Sequence, residues 1–223
     1  NPAEVTLRSP VPLGKPLTTS GGGDDGVEVH DGERLIAEVR SAGYLYITMA
    51  HIGAIAVLMC FGVLQATTGD YTFDSMRTTQ LAPFWATVAF GLALFGFGAK
   101  AGMLPLHIWL PEAHPAAPSP VSALMSGVML KTAIYGMVRV IYDLIGGIRW
   151  EWGLTVLLFG AATSLFGVLF ALMQHDLKRL LAYHSVENIG IILIGIGLSM
   201  VFIGSGHPVA GALCHDSERS LLR

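Results

Sequence analysis

The sequence predicts an all-α protein, a polytopic transmembrane helical bundle of about five spanning helices with one helix broken near residues 100–105. Three observations predict it. Of the 223 residues, 52% are hydrophobic and only 13% are charged, about half the charged share of an ordinary globular chain. The mean hydropathy is correspondingly high, at +0.59. Five apolar runs succeed one another, at 43–65, 81–99, 121–140, 153–174 and 188–206. Each approaches the roughly 20 residues that an α-helix needs to cross a bilayer. Finally, one polar, proline-rich stretch, "KAGMLPLHIWLPEAHPAAPSP" at 100–120, separates the second run from the third.

Residues 1–40 differ from the rest of the chain. "PLTTSGGGDDGVEVHDGER" is rich in Gly, Ser, Thr and Asp, and the segment reads as a polar, flexible leader. A short helix is expected from about Gly32, where Leu35, Ile36 and Val39 share a face. The chain starts at Asn1 with no basic stretch ahead of an apolar core, so no signal peptide is read. The first run carries His51 and Cys60, and the second, fourth and fifth carry no charge. The third is interrupted by Lys131 and closed by Arg139. Five such runs call for helices, since only a helix satisfies its own backbone in lipid. The intervening loops alternate sides. Arg34, Arg40, Lys178 and Arg179 fall on one side, and Arg77 and Arg149 on the other, with Arg139 near its edge. That bias places 1–40, the 100–120 stretch and the 175–180 loop in the cytoplasm. No short-period or heptad repeat is read beyond ordinary helix amphipathy.

Composition also excludes. Net charge is −3, which gives no electrostatic footprint for a nucleic-acid partner. Cys60 and Cys214 stand far apart, with no C-x-x-C, which argues against an iron–sulfur, zinc or nickel site held by this chain. We therefore expect no metal and no bound cofactor.

Two lysines carry the functional signal. Lys131 lies about ten residues from either end of its run, out of snorkelling reach. A lysine at the bilayer centre costs roughly 2.5–3.5 kcal/mol, which cancels about five to ten Leu or Ile side chains. It must face protein or water; the alternatives are a proton-carrying role, a structural ion pair with a carboxylate on another helix, and a span shifted so that Lys131 lies nearer an edge. Lys100 ends its run directly ahead of Gly102 and Pro105. Pro lacks an N–H and Gly tolerates the break, while the apolar residues Leu106, Ile108, Trp109 and Leu110 then resume. That pattern fits a discontinuous helix with Lys100 at the break. His107 and His114 suit proton transfer near neutral pH or capping of the break. The spacing of His107, Glu112 and His114 does not set two ligands on one helix face, so no metal site is read there. Burial lowers a lysine pKa and a nearby carboxylate raises it, so a buried lysine with a movable counter-charge can take up and release protons.

The stretch "KAGMLPLHIWLPEAHPAAPSPVSALMSGVMLKTAIYGMVRV" resembles the antiporter-like proton-pumping subunits of respiratory complex I and Mrp antiporters. The spellings "PEAHPAAPSP" and "AYHSVENIG" resemble most the large membrane subunit of hydrogenase-4 and formate hydrogenlyase complexes. The resemblance extends over about 39–213. It implies that Lys100 is the lysine of the broken helix and Lys131 the relay lysine of the next one. His107 and His114 are then secondary candidates in the second half of the broken helix. His184 and Glu187 fall in a polar stretch at the start of the last span. The resemblance further implies a non-redox membrane subunit of an oxidoreductase complex. Its partners are other membrane and peripheral subunits, the lipid bilayer and protons, and its place is the cell inner (plasma) membrane. The alternatives are an Mrp-type cation/proton antiporter subunit and an inert structural membrane piece. On this reading 41–213 is part of a proton-antiporter-like domain, lacking the family's flanking helices, one of which carries a glutamate paired with the Lys100 position. The charged tail 214–223, "CHDSERSLLR" from Cys214, departs from the family pattern as a shifted reading frame or truncated piece does.

Overall fold

The computed structural model describes residues 28–78 and 81–207, with side chains from Ile36 onward except Glu38. The tail 214–223 and most of the leader lie outside the described residues. Among those described there is no β-strand. The elements are α1 (Glu28–Thr68), a short α2 (Phe73–Thr78), α3 (Pro83–Ala101) and α4 (Trp109–Ala116). A long helix then covers Ser119–Ile145, and after it come α7 (Trp150–Leu172) and α8 (Leu177–Gly204). The long helix is α5 (Ser119–Leu124), a π-turn at Met125–Met129, α6 (Leu130–Arg139) and a second π-turn at Val140–Ile145.

Among the described residues, five helices are long and apolar enough to cross a membrane: Val39–Thr68, Pro83–Ala101, Ser119–Ile145, Trp150–Leu172 and Leu177–Gly204. The last starts well ahead of the apolar run at 188. Apolar counting stops at Glu187 and Asn188, but no Gly or Pro interrupts the backbone between Asp176 and Gly190, so the helix continues through the polar residues. Outward faces carry Ile47, Ile55, Leu58, Leu158, Leu165 and Leu169, all exposed, as a lipid-facing surface requires.

Glycine sets the tightest packing. Gly153, Gly160 and Gly167 on α7 face α8, and Gly190, Gly197 and Gly204 on α8 face α7, each row at seven-residue spacing. A Cβ on Gly190 would fall 2.4 Å from the Ser164 nitrogen, and one on Gly197 would fall 2.5 Å from the Leu157 nitrogen. The two antiparallel backbones therefore touch, which is how membrane helices associate when no hydrophobic drive separates them from lipid. This corrects the expectation of no heptad repeat: the period lies in the glycines, which hydropathy does not register. Gly53 on α1 and Gly96 on α3 make a second close crossing, with Gly53 Cβ placed 3.1 Å from the Gly96 oxygen.

The loop sides alternate as expected. Lys178 Nζ reaches the Pro115 and Ala117 oxygens at 3.4 and 3.3 Å, so the 102–118 stretch and the start of α8 share an end. At the opposite end Asp143 pairs with Arg77 at 2.6 Å and with Arg139 at 2.9 Å. Arg77 lies between spans, and its hydrogen bond to Asp143 raises the guanidinium pKa further, so this clasp stays charged.

Candidate functional site

The break in the second span arises from its residues. α3 ends at Ala101 and is capped by Gly102 in the left-handed region, φ 74°, where a side chain would be strained. The Met103 N–H donates to the Gly98 oxygen at 2.9 Å. The Trp109 indole N–H donates back to the Ala99 oxygen at 2.9 Å, and the Leu104 N–H donates to Thr163 Oγ1 on α7 at 3.1 Å. These three backbone groups at the break are thus paired, as an apolar setting favours.

Lys100 sits in the last turn of α3. Its Cγ lies 3.4 Å from where a Gly53 Cβ would stand, and Gly53 falls in the middle of the Val39–Thr68 span. Lys100 therefore ends its own helix yet stands near mid-depth in the bundle. It lines a cavity of about 580 Å³ bounded by α1, α3, α4 and the long helix, with Tyr46, Trp109, Val128 and Thr132 among the walls. Among the described residues, Lys100 is the only charged one in that lining.

Lys131 lies at about the middle of Ser119–Ile145, is half-buried, and comes directly after the first π-turn and Leu130. It lines a separate cavity of about 340 Å³ together with Ser126, Ser185 and Asn188. Ser126 and Ser185 hydroxyls bond across the cavity at 2.9 Å. The long helix is the wall between the two cavities, with Val128 and Thr132 turned to the Lys100 side and Ser126 and Lys131 to the other. Among the described residues no carboxylate pairs with either lysine.

The remaining candidates are placed differently from one another. His107 lies in the turn residues ahead of α4 rather than in the second half-helix, because the chain re-enters the helix only at Trp109. It stacks on Phe170, and its Nδ1 is buried with no hydrogen-bond partner among the described residues. His114 is on α4, buried, with Nδ1 bonded to the Ser122 hydroxyl and Nε2 without a hydrogen-bond partner among the described residues. His184 and Glu187 pair with each other at 2.8 Å, and neither lines either cavity. Ser126, Ser185, Asn188 and Thr163 escaped the sequence reading: small polar residues do not stand out as a charge does. Ser185 and Asn188 sit three residues apart on α8, a helical spacing that would have flagged them once α8 was known to start at Leu177.

The family model for "NADH:quinone oxidoreductase/Mrp antiporter, TM" matches residues 36–216. The chain belongs to this family. It is 47% identical over 191 residues to hydrogenase-4 component B of Escherichia coli (strain K12), covering 82% of this chain and 28% of that protein. It is 36% identical to formate hydrogenlyase subunit 3 of the same organism, covering 81% and 31%. Among solved structures, a chain of the Mrp complex from Dietzia sp. DQ12-45-1b superposes with a TM-score of 0.64 at 30% identity, covering 77% of this chain and 33% of that one. The chain thus spans about a third or less of the length of these relatives. Membership bears out the antiporter-like resemblance and the helical membrane fold.

Proposed function

We propose that this chain is the proton-carrying core of a membrane subunit of a hydrogenase or complex I-like oxidoreductase. One observation carries the reading: two lysines at mid-depth, Lys100 on α3 and Lys131 on the long helix, each lining its own cavity, with the two cavities on opposite sides of the long helix. In this reading Lys100 takes a proton at the helix break and Lys131 receives it across the long helix. The hydroxyls of Ser126 and Ser185, with Asn188, carry it on through bridging water. His107 and His114 line the approach along the break, and His184 and Glu187 sit at the mouth of α8. The redox chemistry belongs to neighbouring membrane and peripheral subunits, in the inner (plasma) membrane, with the 102–118 end toward the cytoplasm.

The likeness to hydrogenase-4 component B and formate hydrogenlyase subunit 3 favours a redox-driven assembly over a sodium antiporter. Vesicles holding the assembled complex separate the two. With an electron donor present, internal acidification appears, a protonophore collapses it, and sodium is not required. The Mrp-type reading predicts instead that an imposed sodium gradient alone moves protons. The inert-piece reading predicts that Lys131→Met raises thermal stability and leaves coupled proton movement intact.

A further inference from the structure

We propose that Thr163, on α7, is a positioning residue for the Lys100 site, its hydroxyl fixing the backbone of the break at Leu104. Thr163 is fully buried, as among the buried polar residues described only Ser199 also is. Its hydroxyl donates to the Phe159 oxygen at 2.6 Å and accepts from the Leu104 N–H at 3.1 Å. The break leaves that N–H with no main-chain acceptor of its own, whereas Met103 N–H and the Ala99 oxygen find partners within 98–109. An unpaired N–H there would carry the full cost of desolvation, so the hydroxyl decides where Leu104 rests. Leu104 is four residues beyond Lys100, and the Gly102 cap between them sets where α3 stops.

The post itself cannot move freely. Thr163 lies between Gly160 and Gly167, whose faces meet the α8 backbone with no room for a Cβ. The break is therefore anchored to the rigid α7–α8 pair. α8 in turn supplies Ser185 and Asn188 to the Lys131 cavity. One fixed unit thus sets the position of both lysine sites. The link to proton transfer rests on the proposed function; the hold on the break does not.

Thr163→Val keeps the shape and removes the hydroxyl, and Thr163→Ser keeps the hydroxyl. Both are read in the assembled complex by hydrogen exchange over 102–108 and by protons taken up per electron, with Lys100→Met as control. The expected result is that Thr163→Val speeds Leu104 exchange about tenfold or more, leaves protection along Trp150–Leu172 unchanged, and lowers proton uptake about tenfold while electron transfer persists. Thr163→Ser matches the parent in both. Unchanged Leu104 exchange in Thr163→Val, faster exchange with parental uptake, or loss of protection along α7 each overturns the proposal. Failure of the proton reading shows separately, as parental uptake in Lys100→Met; Leu104 exchange then decides the hold on the break by itself.

Discussion

Lys131 stands at mid-helix with hydroxyls and an amide beside it rather than a carboxylate. Hydroxyls and an amide can hydrogen-bond an ammonium directly or hold the water that bridges it to the next group. Replacing Asn188 by Leu removes the amide from that cavity and is expected to cut proton uptake about tenfold or more, with electron transfer retained; uptake per electron in vesicles checks it. On the other side, Gly53 makes room for the Lys100 stem. Gly53→Val places branched carbons against the Gly96 oxygen and Lys100 Cγ, and is expected to destabilise the bundle by about 1–3 kcal/mol, read as a lower unfolding midpoint in detergent. Both lysines and the break at Gly102 and Pro105 were legible in the sequence, because a charge or a helix breaker inside an apolar run contrasts with everything around it. Ser126, Ser185, Asn188 and Thr163 were not. A hydroxyl or amide gains its meaning from the helix opposite, and which helices face each other is not written in hydropathy.

The α7–α8 hairpin is the most tightly joined element. Its seven-residue glycine rows let two backbones meet, so one methyl group is enough to part them. Gly190→Ala sets a Cβ 2.4 Å from the Ser164 nitrogen, and we expect a loss of about 1–3 kcal/mol or more, checked by thermal unfolding beside Gly62→Ala. Gly62 faces open space, so that control is expected to be neutral or slightly stabilising. The long helix carries two π-turns, each adding a residue to the turn and shifting the face of the next one. The first lies immediately before Leu130 and Lys131 and turns Ser126 and Lys131 into the same cavity. Neither the π-turns nor the early start of α8 at Leu177 could be read from apolar run lengths, since these depend on hydrogen-bond register rather than composition.

At the scale of the whole molecule the chain spans about 28% of the length of hydrogenase-4 component B. Its ends are tied in two places. Lys178 holds the Pro115 and Ala117 carbonyls at one end, and the Arg77–Asp143–Arg139 cluster closes the other. The alternation of loops predicts that a cysteine placed at His175 is labelled from the cytoplasmic face and one placed at Asp70 only from the opposite face. An impermeant thiol reagent on intact and inverted vesicles checks it. The central claim is that Lys100 and Lys131 serve one proton path through the long helix. Protons moved per electron, measured in vesicles bearing the assembled complex with Lys100→Met, Lys131→Met and both together, tests it most directly. The account predicts that each single variant loses nearly all proton movement while electron transfer continues, and that the double variant is no worse. A single variant that pumps at the parental ratio would contradict it.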